Sequence, residues 1–291
     1  MAADRPSAAV LAPLRLIRAG NVVVSFVGTV VGALVARDTG VFAPAGFWFL
    51  VLLASTSTAC VTAGGNVLND LLDREGDRTN HPDRPLVTGE VTPQAAQGLC
   101  VGLFGVGVAV AVPVVLVRPL VGVILAVAVG SLLAYEFGAK SRGFVGNLVV
   151  ALLTALVFLY GGAAAGNAVV LAPFAAMAFL ATASREVIKD MEDVGGDVGR
   201  TTLPKSRGMP VATAVARAAV GAAVVLSVVP VLWFVPWRSA VGIIYLGLVA
   251  AADAAFVLSV YSLPDRLHFE QSASKAAMTV ALAAFLAVAF R

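Results

Sequence analysis

Charged residues are sparse along this chain, and the intervals between them set its elements. Uncharged runs long enough to cross a bilayer, which takes about 20 residues per helix, lie between Arg18 and Arg37, Asp38 and Asp70, Glu90 and Arg118, and Arg118 and Glu136. The run from Gly143 to Ser184 is too long for one span and divides over 161–167, GGAAAGN, so that FLYGG ends a fifth helix at Tyr160. Further spans follow over 210–232, 239–260 and 276–290. The pattern predicts an all-α polytopic membrane protein of nine transmembrane helices. Residues 1–13 form a polar, frayed cytoplasmic tail, and 14–291 form a single transmembrane domain.

The polar interruptions carry the chemistry. Residues 66–77 read NVLNDLLDREGD and place Asn66, Asp70, Asp73 and Asp77 at offsets of four, three and four. On an α-helix these side chains line one face. At an offset of 120 residues, 186–197 read EVIKDMEDVGGD, with Glu186, Asp190, Asp193 and Asp197 in the same register. Stacked carboxylates repel unless a cation lies between them, and an all-oxygen donor set suits a hard divalent ion such as Mg²⁺. Mg²⁺ borrows ligands from substrate phosphates, so two facing acidic helix ends are arranged to hold a diphosphate through bridging metals. The offset contains four spans, an even number. The halves, about 14–138 and 143–260, are therefore parallel repeats, with a ninth helix near 272–290 left over.

Composition agrees with the spans. Of 291 residues, 59% are hydrophobic and 13% charged, and the mean hydropathy is +0.93, against about 25% charged in a soluble domain. With the N-terminus in the cytoplasm, only Arg37, Arg118, Arg238 and Arg291 of the 20 basic residues fall outside, as the positive-inside rule requires. Both acidic motifs then face the cytoplasm. The net charge of +3 follows from topology and gives no case for nucleic acid. The first apolar run exceeds a signal-peptide core of about 7–15 residues, so it is a retained helix. Cys60 and Cys100 lie in apolar runs without metal-ligand spacing and read as small core residues.

Other polar residues gather on the same side. Arg18 and Asn21, at the start of the first span, either anchor it at the head groups or lean over a cavity. Arg78 and Arg84, in the loop RTNHPDRPLVTGEVTP, either set topology or present guanidinium forks to phosphate oxygens; His81 is a solvated loop imidazole. Tyr135, Glu136, Lys140, Ser141 and Arg142 form a cluster after the fourth span, in which Lys140 and Arg142 either anchor the loop or hold an acceptor phosphate. Asn147, one to two turns further in, either lines a cavity or bonds a neighbouring helix. Arg185 leads into the second motif, Lys189 lies within it, and Arg200, Lys205 and Arg207 follow. Asp253 is an intramembrane acid flanked by apolar residues and is left outside the site.

These residues resemble the UbiA superfamily of intramembrane prenyltransferases over roughly 12–290. The family's N-D-x-x-D-x-x-x-D pattern is matched by Asn69, Asp70, Asp73 and Asp77, and its second D-x-x-D-x-x-x-D by Asp190, Asp193 and Asp197. HPDRPLVTGEVTP, the GN of Gly146 and Asn147, the YGG at Tyr160 and SREVIKDMEDVGGDVGRTTLP are most similar to the archaeal branch. The resemblance implies helices around a lipid-accessible cavity with a cytoplasmic cap. It also implies Mg²⁺ held by Asn69, Asp73, Asp77, Asp190, Asp193 and Asp197, with all six aspartates catalytic. Substrates would be met by Arg18, Asn21, Asn66, Asn69, Arg84, Tyr135, Lys140, Arg142, Asn147, Tyr160 and Lys189. The implied reaction transfers a geranylgeranyl or other polyprenyl group from its diphosphate to the hydroxyl of geranylgeranylglyceryl phosphate, a membrane lipid precursor, forming an ether. Two alternatives stand beside it: prenylation of an aromatic quinone precursor, and a cation transporter.

Overall fold

The computed structural model describes residues 6–37, 43–195 and 201–291. Fourteen α-helices follow one another among them: α1 Pro6–Leu16, α2 Ala19–Val35, α3 Ala45–Leu72, α4 Arg74–Asn80, α5 Pro85–Thr88, α6 Pro93–Val117, α7 Pro119–Phe137, α8 Phe144–Ala165, α9 Ala172–Glu192, α10 Leu203–Arg207, α11 Met209–Leu226, α12 Val229–Trp233, α13 Ala240–Tyr261 and α14 Leu267–Val288. Eight segments among the described residues are long and apolar enough to cross a membrane, with α11 and α12 counting as one, and α2 is a shorter apolar helix of 17 residues. The chain is a multi-pass membrane protein.

Lipid is as apolar as leucine, so helices associate through close packing rather than through exclusion of water. The crossing of α2 and α8 depends on this. A Cβ on Gly32 would lie 2.5 Å from the Phe158 carbonyl oxygen, and one on Gly161 would lie 2.1 Å from that of Thr29. Away from the acidic motifs, Val31, Phe158, Phe174, Tyr245 and Phe285 fill one core shared by α2, α8, α9, α13 and α14. Phe174 and Phe285 meet edge to face at 4.7 Å between centroids. Outward-facing Val101, Leu116, Leu232 and Tyr261 stay exposed, as lipid-facing positions do.

Three sequence-based boundaries are corrected. The tail is helical from Pro6, and residues 1–5 lie outside the described residues. The fifth span does not end at Tyr160: α8 continues through Gly161 and Gly162 and stops at Gly166, whose φ of 94° no side chain adopts easily. Those two glycines are contact points rather than breaks. The seventh span keeps its expected length, Met209–Trp233, but its helix is interrupted after Leu226 and resumes as the short α12 with Pro230 in its first turn. The last span begins at Leu267, because the polar stretch from His268 to Lys275 is already helical.

Candidate active site

Both acidic motifs sit where helices end. Asp73 is the C-terminal cap of α3 with φ −86° and ψ 0°, and Asp193 caps α9 with φ −86° and ψ 5°. A helix C-terminus carries partial negative charge, so a carboxylate there is unfavourable without a cation beside it. The first motif is supplied with such cations by other parts of the chain. Lys140, after α7, donates to Asp73 and lies 3.5 Å from Glu136 Oε2. Arg84, in the loop before α5, places Nη1 3.0 Å from Asp70 Oδ1 and also pairs with Asp77. Arg18 donates through Nη2 to Asp70 Oδ1 at 2.6 Å and to Asn69 Oδ1 at 3.0 Å.

Arg18 reaches that position through an uncommon backbone. Its φ of 52° is the only positive value at a non-glycine among the described residues, a conformation that costs about 1–2 kcal/mol. The kink separates α1 from α2, and Asn66 Nδ2 secures it by donating to the Ile17 carbonyl at 2.8 Å. Asn69 is likewise engaged at both ends, since its Nδ2 donates to Glu136 Oε1 at 2.8 Å. Asp70 and Asp77 are buried. Burial pushes the Asp77 carboxyl above the usual carboxylate range; Arg84 opposes the rise, and Asp73 and Asp70 add to it.

The second motif joins the first through the connection between α7 and α8. Asn147, buried on the first turn of α8, donates from Nδ2 to Asp190 Oδ2 at 2.7 Å. Four residues earlier Gly143 adopts φ 58°, and a Cβ there would lie 1.9 Å from the Thr201 carbonyl oxygen. Lys140, Gly143 and Asn147 thus fix one connection to Asp73, to the loop after the second motif, and to Asp190. Arg142, between them, is exposed, as are Asn21 and Lys189. Asp197 and Arg200 lie outside the described residues.

The structure does not bring every candidate together. Tyr160 is buried beside α3 and donates to Ser57 Oγ at 3.1 Å, about 20 Å along α8 from Asn147 at 1.5 Å per residue. Asp253, left outside the site, accepts from Ser227 Oγ at 2.7 Å. Glu136 belongs to the site more closely than its place in a general polar cluster implied, accepting from both Asn69 and Lys140. Its signal was its position in the last turn of the fourth span, beside Lys140.

Comparison with known proteins bears on this arrangement. Residues 25–289 match the UbiA prenyltransferase family. Digeranylgeranylglyceryl phosphate synthase of Haloquadratum walsbyi is 38% identical over 271 residues, 89% of this chain and 91% of the relative. The enzyme of that name from Methanoregula boonei is 37% identical over 83% and 82% of the two chains. A solved digeranylgeranylglyceryl phosphate synthase structure superposes with a TM-score of 0.79 at 27% identity, covering 97% of this chain and 99% of that one. A UbiA homolog from Archaeoglobus fulgidus, bound to GPP and Mg²⁺, shares the fold with a TM-score of 0.64 at 17% identity, covering 94% of this chain and 99% of that one. A transporter reading gives way to these matches: the chain belongs to the UbiA prenyltransferase family and is a prenyltransferase.

Proposed function

We infer that this enzyme transfers a geranylgeranyl group from its diphosphate to the hydroxyl of geranylgeranylglyceryl phosphate. The allylic C–O bond to the diphosphate breaks, the acceptor oxygen bonds to the freed carbon, and the hydroxyl proton leaves. The observation that carries the reading is that one connection, α7–α8, bonds to both acidic helix ends, together with relatives of that name matched over most of the chain.

The donor set fits Mg²⁺. Its atoms are hard oxygens, and the Asp70 and Asp77 carboxylates already converge on a single cationic nitrogen of Arg84. Among the described residues no three His, Cys, Asp or Glu side chains are grouped to hold a metal ion by themselves, so phosphate oxygens and water would have to complete the shell of a bound Mg²⁺. Asn69, Asp73, Asp77, Asp190, Asp193 and Asp197 would hold it, with Asp70 kept by Arg18 and Arg84 as their anchor. Mg²⁺ held by these residues would supply neutralisation of the charge on the departing diphosphate. The chain's part is to align the two motifs, supply Arg84 and Lys140 as counter-charges, and keep the reacting carbon in an apolar surrounding that excludes water.

The same reading takes the protein as nine crossings, α2 included, in two parallel halves with the site at the cytoplasmic face. The matching caps of α3 and α9, 120 residues apart, support it. Purified protein in vesicles, given geranylgeranyl diphosphate, Mg²⁺ and a panel of lipid-phosphate and aromatic acceptors, tests the function by mass spectrometry of the products. An ether of the glycerol phosphate is expected, and EDTA should stop its formation. A prenylated hydroxybenzoate or dihydroxynaphthoate in its place would transfer the assignment to quinone synthesis. Full turnover in a thoroughly chelated sample would remove the metal from the mechanism.

A further inference from the structure

Glu136 is a buried carboxylate for which the proposed reaction has so far no use. It lies in the last turn of α7 with its side chain 4% exposed. A carboxylate there meets the negative end of the helix dipole and loses its water, and both effects oppose it. Two contacts offset them. Asn69 Nδ2 donates to Oε1 at 2.8 Å, and Lys140 Nζ lies 3.5 Å from Oε2.

The Asn69 contact fixes an orientation as well as a position. One end of an asparagine amide donates and the other accepts, whereas a carboxylate only accepts and a guanidinium only donates. Glu136 therefore takes the nitrogen end of Asn69, and Arg18 Nη2, 3.0 Å from Oδ1, takes the oxygen end. The same Arg18 nitrogen donates to Asp70 Oδ1 at 2.6 Å, so the Asn69 oxygen is turned to the side of the carboxylates. Turned over, the amide would set N–H against guanidinium N–H and oxygen against carboxylate oxygen. Oxygen is the end that a hard cation takes as a ligand. It has two lone pairs, of which Arg18 uses one.

We propose that Glu136 is a positioning residue of the first motif, which by holding the Asn69 amide nitrogen keeps Asn69 Oδ1 presented to Mg²⁺. The proposal rests on Asn69 serving as a metal ligand in the reading above. Groups that orient a metal ligand are worth about 10–100-fold in metal affinity or activity. A different role is open to the same contact: α7 is the least buried of the eight spans, and Glu136 ties it to α3. A tie alone leaves metal affinity unchanged in any variant that folds.

The test measures Mn²⁺ binding to the purified full chain by electron paramagnetic resonance, with inorganic diphosphate present. Glu136→Ala should weaken binding by about tenfold or more, and Asn69→Ala at least as much. Glu136→Ala combined with Asn69→Ala should bind no more weakly than Asn69→Ala alone, because the one acts through the other. Losses that multiply in the double variant, or unchanged affinity in Glu136→Ala, overturn the proposal. A reciprocal pair serves if Glu136→Ala does not fold. Asn69→Asp alone sets two carboxylates against each other and should weaken Mn²⁺ binding; adding Glu136→Gln restores a donor between them and should recover most of the loss. A pair that binds no better than Asn69→Asp alone overturns the proposal as well. Absence of Mn²⁺ binding by the unaltered protein strikes the metal site itself, and the role of Glu136 with it, so the two failures are distinguishable.

Discussion

At the scale of single residues, the first motif is a set of carboxylates each answered by a cation from elsewhere in the chain. Arg84 serves two buried aspartates at once, and removing one partner of a buried ion pair costs about 3–5 kcal/mol. Arg84→Ala should therefore both lower the thermal unfolding midpoint and reduce turnover. Arg84→Lys should recover less than full stability, since an ammonium does not reproduce the guanidinium fork; full recovery would reduce Arg84 to a point charge. Asp73→Ala and Asp193→Ala should each retain less than about a tenth of wild-type turnover while staying folded, because loss of a metal ligand removes several kcal/mol and 1.36 is already tenfold. A larger residual rate in either would sink its role as a ligand. The spacing predicts one continuous helix face for the first motif, but α3 ends at Leu72, so that Asp73 caps it and Asp77 lies on α4. The partners of these aspartates were not legible from spacing: Arg18 to Asp70 and Lys140 to Asp73 are pairings made by tertiary packing across 52 and 67 residues. The sequence leaves Lys140 as either a loop anchor or a phosphate contact, whereas in the structure its ammonium is committed to Asp73 and Glu136. Arg142, exposed beside it, is the better candidate for an acceptor phosphate, and Arg142→Ala should raise the acceptor KM more than the donor's.

At the scale of elements, hydrophobic run length located the spans, but glycine and polar residues misled at their ends. Gly161 and Gly162 resemble a helix break in sequence, because glycine favours turns. In the folded chain they are where α8 presses against its neighbours, a cause visible only once α2 and the segment before α9 are in place. The polar stretch at the start of α14 read as loop because solvation and helicity are separate properties, and His268 and Glu192 meet across α14 and α9. The crossing gives a direct test. Gly161→Ala adds a carbon 2.1 Å from the Thr29 oxygen and 2.9 Å from the Ala33 nitrogen, so it should destabilise by about 1–3 kcal/mol. Gly102→Ala on α6, with nothing within 4 Å of the added carbon, should be neutral or stabilising, since alanine is the better helix former. Equal unfolding midpoints for the two would contradict the packing account.

At the scale of the whole molecule, the question is which membrane face carries the site, and charge distribution makes a prediction. Arg15, Arg18, Arg74, Arg78, Arg84, Lys140 and Arg142 lie around the motif-bearing ends of the helices, whereas Arg118, Arg238 and Arg291 lie at the other ends. The positive-inside rule predicts that both motifs face the cytoplasm, where a diphosphate head group and Mg²⁺ would reach them without crossing lipid. Both native cysteines lie within spans, so they compete little with an engineered thiol. Glu75, with its side chain 74% exposed, is a suitable reporter on the motif side, and Arg238, between α12 and α13, on the other. In sealed right-side-out vesicles a membrane-impermeant maleimide should label Arg238→Cys and leave Glu75→Cys unlabelled; inside-out vesicles should reverse the pattern. Labelling of Glu75→Cys from outside would invert the topology and require the diphosphate to be delivered from the opposite compartment.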